Sequence, residues 1–172
     1  MPITVPPPVP ADGTVSIRWV TALAAPAAPK LATEINAVSS VDISCLLTKE
    51  GFAPAAEPNA ITDERLCSKQ VFEDFGTVTY TIAELEYIID PQNPSSASNK
   101  ALATFVSGIS GFLVARWGKD VDIAWAVGDK VDVYPVKMGP AVKQQPVTNA
   151  TLKAKTKPFV TGPVVENVSV VA

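Results

Sequence analysis

The sequence predicts a mainly β fold: a β-sandwich or half-barrel with one short flanking α-helix at about residues 99–108. Three observations carry this. Several segments alternate apolar and polar residues with period two, turn residues separate them at short intervals, and only one stretch repeats at helical spacing. Seven or eight strands and one helix fit a sandwich or barrel with the helix on one side. The 172 residues divide into a proline-rich arm, 1–13, and one domain, 14–172.

The elements follow in order. Thr14 to Val20 is a first strand, with Val15, Ile17 and Trp19 on one face and Thr14, Ser16 and Arg18 on the other. Residues 21–30 are an Ala/Pro linker, and Thr33 caps a helical turn through Asn36. Val41 to Leu47 reads as a second strand containing Cys45. Residues 48–76, with Gly51, Pro54 and Pro58, read as a long irregular loop, a feature usually tied to partner contacts.

Thr77 to Asp90 reads as one long strand whose apolar face changes sides. Val78, Tyr80 and Ile82 share one face, then Leu85, Tyr87 and Ile89 share the other. A change of phase calls for a bulge, a strong twist or a strand serving two layers. It leaves Glu84 and Glu86 on the face vacated by the first group. The helix covers Asn99 to Ser107, capped by Ser98 or Asn99 and stopped by Gly108 and Gly111. Its stripe is Ala101, Leu102, Phe105 and Val106, with Ile109 beyond.

Further strands are expected at Phe112–Trp117 and, after a Gly118-Lys119-Asp120 turn, at Val121–Val127, with Ile123, Trp125 and Val127 on one face. Gly128-Asp129 suits a hairpin turn into a strand through Val131 and Val133. Pro135 implies an edge or a strand end, and Gly139-Pro140 another turn. Thr151–Lys157 places Lys153, Lys155 and Lys157 on one face, and Val164–Val171 is the last strand.

Chemistry is sparse. There is no histidine, so the commonest general base and zinc ligand are missing. Gly108-Ile109-Ser110-Gly111 lacks the spacing of a hydrolase elbow. Asp120, Asp122, Asp129 and Asp132 lack the ligand order of a calcium loop and read as solvated turn and strand carboxylates. Glu84 and Glu86 would lie about 7 Å apart along a strand, but no aromatic sugar cleft accompanies them. Catalytic, metal and cofactor sites are therefore not expected.

Cys45 and Cys67 match no zinc or redox spacing and read as reduced, partly buried thiols. MPITVPPPVP does not look like a signal peptide, and Val20–Ala28 is too short and proline-interrupted to span a bilayer. The Asn149 and Asn167 glycosylation patterns are read as chance. A formal net charge of −3 argues against a surface that coats nucleic acid. The three lysines mark either a charged edge that blocks wrong pairing or an inter-subunit contact. Trp19, Trp117 and Trp125 read as core or interface.

Four segments and the chain's ending carry a resemblance. They are INAVSSVDISCLLTKEGF (35–52), ITDERLCSKQVFEDFGTVTYTIAELEYIIDPQNP (61–94), NKALATFVSGISGFLVARWG (99–118) and VGDKVDVYPVKMG (127–139), before the valine-rich TGPVVENVSVVA. In this order they resemble the major tail tube proteins of long-tailed bacteriophages, especially those of actinobacterial hosts. The resemblance covers most of the chain from Ile35 onward. It implies hexameric rings whose inner sheets form a β-barrel around a lumen. Such rings stack on a tape-measure protein into a tube that conducts DNA, alongside tail-tip and terminator proteins. The protein would be made in the host cytoplasm, end in the virion, and carry no catalytic residues.

Within that frame Glu84 and Glu86 are the expected lumen-facing residues, since carboxylates repel phosphate. The expected inter-subunit residues are Pro6, Pro7, Pro8, Phe52, Arg65, Phe72, Phe75, Lys153, Lys155 and Lys157. Two alternatives stay open: another virion β-scaffold component, such as a tail terminator, connector or capsid decoration protein, or a soluble β-sandwich binding module.

Overall fold

The computed structural model describes residues 4–172, so the Met1–Ile3 part of the expected arm lies outside the described residues. Among the described residues, nine strands and one α-helix follow in chain order. They are β1 (Val15–Val20), β2 (Val41–Asp42), β3 (Pro54–Asp63), β4 (Phe72–Ile82), β5 (Leu85–Ile88), α1 (Lys100–Thr104), β6 (Ser110–Trp117), β7 (Lys130–Lys143), β8 (Lys153–Val160) and β9 (Val165–Ser169). Seven strands form one antiparallel sheet in the order β2-β1-β6-β7-β8-β5, with β9 also on β7. The sheet curls into a half-barrel. The remaining two, β3 and β4, form a separate two-stranded ribbon.

The 14-residue β7 is the spine. One edge pairs with β6 from Val131 to Lys137. Its other edge pairs first with β9, at Lys130–Val133, and then with β8, from Val136 onward. Pro135 sits at this handover. Its carbonyl accepts from Thr161 N–H at 2.9 Å, so its missing N–H points to the gap between β9 and β8, where no ladder bond is lost. That is why Pro135 neither ends the strand nor needs an outer edge, contrary to the expectation from sequence. Gly139-Pro140 is likewise no chain reversal. It is a bulge, two residues opposite Lys157, within a strand that continues to Lys143.

Because β1, β6 and β7 are covered on both faces, their side chains divide between two cores. Ile17 and Trp19 of β1, Leu113 and Ala115 of β6, and Tyr134, Val136 and Met138 of β7 line the larger one. Val20, Val114, Val131 and Val133 line the other, with Ile35, Trp125 and Val170 packed over them. In the larger core Phe105 meets Trp19 edge-on at 5.7 Å and Tyr87 at 5.5 Å. Gly111 lies beneath the Trp19 ring, where an added Cβ would fall 2.4 Å from the nearest ring carbon.

The helix is shorter than expected. Five α-helical residues cannot stand alone, and α1 is held by Ala101 and Phe105, four apart and both buried. Val106 leaves the stripe and is exposed, because the helix has ended. Asn99 does not cap it. Its buried amide instead binds the Asp90 N–H and the Asp90 and Asn93 carbonyls, closing the preceding loop.

Other expectations are corrected. The turn at Leu31–Ile35 is wide, with Ile35 N–H bonding the Lys30 carbonyl, and Thr33 lies inside it instead of capping it. The strand expected at Val41–Leu47 keeps only Val41–Asp42 before turning. The strand expected at Val121–Val127 is irregular: Trp125 is buried, while Ile123 and Val127 are exposed. Cys45 and Cys67 are free and exposed, not partly buried. Among the described residues, no helix is long and apolar enough to cross a membrane.

Candidate assembly surfaces

The segment 48–76, expected to be irregular, contains β3 and the start of β4. Residues directly opposite on paired strands share a face. Pro54, Ala56, Pro58 and Ala60 therefore lie on the same side as Ile82, Tyr80, Val78 and Phe75. The register slips by one residue between Pro58 and Ala60. The slip puts Phe75 on the Val78 side, although their odd spacing would otherwise separate them. Gly76 permits it, since a Cβ there would sit 2.6 Å from the Asn59 carbonyl oxygen.

This apolar ribbon face loses cover with distance from the main sheet. Ile82 is buried, Tyr80 and Val78 are half-buried, and Phe75 is 69% exposed. Of Val78, Tyr80 and Ile82, which share this face, only Ile82 is fully buried. On the opposite face Phe72, 50% exposed, stands against Asp63, and Ile61 against Asp74. At the ribbon's end Arg65 grips Asp63 through Nε and Nη2 at 2.9 and 2.8 Å.

The change of apolar face is real, but it is a break between two strands, not a feature of one. Ala83 N–H still bonds the Ala53 carbonyl at 3.0 Å, after which the chain leaves β3 and pairs with β8 from Leu85. Glu84 sits at the break, exposed and without an ion-pair partner among the described residues. Glu86 is different. Its carboxylate meets Lys153 Nζ at 2.9 Å, Lys155 Nζ at 3.4 Å and the Thr48 hydroxyl at 3.1 Å. The Lys153 hydrogen bond leads these contacts in holding its pKa below the ordinary range against the opposing effect of burial.

The lysines do share a face, as expected, but β8 is no edge strand: β7 and β5 flank it. Lys157 donates to the Ile82 carbonyl at 2.7 Å, so all three lysines have partners within the chain. Phe52 is also engaged internally, half-buried against Tyr134 at 5.8 Å and Trp117 at 6.0 Å. Pro6, Pro7 and Pro8 are exposed.

A buried charge cluster escaped the sequence reading. Arg116 is 1% exposed and lies over the Trp125 ring at 4.9 Å. It bonds the Asp129 carboxylate, the Ser16 hydroxyl and the carbonyls of Asp120, Ile123 and Ala124. Lys119 Nζ reaches the same carboxylate at 2.7 Å. Burial raises the Asp129 pKa, but Lys119, Arg116 and the Ala126 N–H together outweigh it and leave the pKa lowered. Asp129 is thus no solvated turn residue. The available signal was an arginine amid the apolar β6 run, since a charge there must be paired. The cluster fastens the 119–129 loop onto the sheet. Among the described residues, no three or more His, Cys, Asp or Glu side chains are grouped to hold a metal.

These are features of a building block: a doubly covered sheet, an uncovered apolar ribbon, and charged side chains paired within the subunit. The model of the phage tail tube protein family matches residues 1–172, the whole chain. The chain belongs to that family. A tail tube protein is a structural component of the virion tail, assembled into a tube with other tail components, and not an enzyme. The match carries the family without a host type. A comparison with curated proteins gives no match.

Proposed function

We propose that copies of this tail tube protein close into rings, six to a ring, that stack into the tube and pass DNA. The observation that carries the reading is the β3–β4 ribbon, whose apolar face lies open along Val78 and Phe75. A two-stranded ribbon with an uncovered apolar face is marginal in water alone and gains stability by packing on another surface. A second copy supplies that surface, and a heterologous contact of this kind closes into a ring or continues as a stack.

Phe72, Phe75 and Arg65 are the ribbon's contact residues in this reading, and the arm prolines Pro6, Pro7 and Pro8 extend the contact. Phe52 and the lysines 153, 155 and 157 support it from within the subunit. The lumen wall includes Glu84 and Glu86. Glu84 is the carboxylate left to repel phosphate, while Glu86, neutralised by two lysines, braces β5 on β8. A net charge of −3 suits a channel that DNA passes without sticking. The tape-measure, tail-tip and terminator proteins are the other components, and synthesis takes place in the cytoplasm of a bacterial host, of actinobacterial type.

Electron microscopy of the purified protein tests this. Tubes whose end views average to six-fold symmetry are expected, and replacing residues 57–79 with a two-residue turn should leave monomers. Stable monomers of the intact chain at high concentration, or tubes from the chain without the ribbon, would overturn the reading.

A further inference from the structure

Between the root of the arm and the start of the ribbon lies a cavity of about 400 Å³ that the assembly reading leaves unused. Its apolar wall is formed by Val15, Ile17, Leu47, Phe52, Trp117 and Val121. Phe52 and Trp117 stack as a ledge, their planes 31° apart. Trp117 is 45% exposed, unusual for a ring of its size beside a core, and its indole N–H has no acceptor among the described residues.

The arm has the matching chemistry. Residues 4–10 read TVPPPVP, are exposed, and have no strand or helix of their own. Pro6, Pro7 and Pro8 offer carbonyl acceptors and no N–H, and three in succession favour the extended polyproline form. Val5 and Val9 are uncovered. Proline segments of this kind dock on aromatic ledges, where an indole N–H donates to their carbonyls. The match includes charge. Residues 4–10 carry none, and the two charges at the cavity, Asp12 and Lys49, already pair at 2.7 Å.

The chain's own arm is poorly placed to fill the cavity. Ala11, Asp12 and Gly13 already form part of its wall, and the Gly13 carbonyl is pinned by Val121 N–H at 2.8 Å. Seven residues in the polyproline form extend about 22 Å, enough to reach a neighbour. We infer that the Phe52–Trp117 cavity receives residues 4–10 of a second copy of this chain. Each copy has one arm and one cavity, so the contact is head-to-tail and fits a ring or stack. The inference rests on the assembly reading and deepens it by naming the arm's receiving site.

Cys45 is exposed at the cavity and provides the test. One variant carries Pro7→Cys, Cys45→Ser and Cys67→Ser. The other carries only Cys67→Ser and keeps Cys45. The two are mixed, assembled, imaged and mildly oxidised. A disulfide-linked dimer is expected on a non-reducing gel, and neither variant alone can form this arm-to-cavity link. Trp117→Ala, or alanine at Pro6 and Pro8 in the arm that carries Pro7→Cys, should abolish the dimer and raise the assembly concentration by about tenfold, the effect of losing one good anchor. The proline variant touches no packed residue, so it keeps the test independent of folding.

Tubes without the cross-link would overturn this inference and leave the assembly reading standing. So would a single chain bearing Pro7→Cys with Cys45, in the Cys67→Ser background, that links only to itself. Absence of tubes from the unsubstituted chain would overturn both.

Discussion

The centre of the main sheet and the β3–β4 ribbon are built from the same antiparallel ladder, yet they differ in what covers them. β1, β6 and β7 are packed on both faces, and their apolar residues divide cleanly between two cores. The ribbon is packed only at its base, where Ile82 is buried, and its apolar side chains become steadily more exposed toward Phe75. The lesson is that alternation reports which residues share a face but not whether anything within the chain covers that face. Stability should therefore reside in the sheet centre and assembly in the ribbon, and substitutions can separate the two.

The largest loss of stability should come from Arg116→Ala. It strands the Asp129 carboxylate in the interior and frees the 119–129 loop. Breaking one partner of a buried pair costs about 3–5 kcal/mol, measurable by urea unfolding below the assembly concentration. Arg116→Met with Asp129→Leu should recover most of that loss, because no lone buried charge remains. A double variant as unstable as the single one would show that the carbonyl contacts, not the ion pair, hold the loop. Next comes Gly111→Ala. Its Cβ would intrude on the Trp19 ring at 2.4 Å, and overpacking of this sort costs about 1–3 kcal/mol. An unchanged urea midpoint would mean that Trp19 can move, and that the centre is looser than its burial implies.

Acid should act on the sheet in the same direction. Asp129 and Glu86 both have pKa values lowered by folding. Their contribution is present above the unfolded carboxylate value, about pH 4, and disappears as pH falls through the lower folded values. Stability should thus decline below about pH 4. The Arg116→Met, Asp129→Leu variant should show a shallower decline, and an identical slope would assign the acid sensitivity to other carboxylates.

Much of this division was legible in the sequence, and the exceptions have physical reasons. The alternation of Val15, Ile17 and Trp19 gave the strand and its core face, because both follow from local geometry. The phase change between Ile82 and Leu85 was visible too, but a strand serving two layers and a break between two strands leave the same pattern. Pro135 and Gly139-Pro140 misled because their reading as strand-ending residues assumed a uniform partner along each edge. The strand β7 instead changes partner at Pro135 and bulges at Gly139-Pro140. The ribbon was hidden by Pro54, Pro58 and Gly76, which are poor strand residues in a sheet interior but acceptable in a ribbon with open edges and a bulge. Glu86 pairs with Lys153 and Lys155, 67 and 69 positions away, so no local pattern could have shown that its charge is neutralised.

The smallest effect on stability should come from the ribbon. Phe75 is uncovered, so Phe75→Ser removes little internal packing and should change the unfolding free energy of the monomer by no more than about 0.5 kcal/mol, as for surface substitutions generally. Its effect on assembly should be the reverse. A large aromatic side chain at the middle of a contact is the kind of anchor whose loss weakens association by tenfold or more, on the order of 2 kcal/mol. Sedimentation across a concentration series would read the assembly threshold, and urea unfolding of the same sample would read stability. Val78→Ser makes the comparison sharper. Val78 lies on the same face one pair nearer the sheet and is half-buried, so its substitution should register in both measurements. If Phe75→Ser destabilised the monomer as much as Val78→Ser did, the ribbon would be part of the subunit's own core, and the separation between a region that folds and a region that assembles would fail.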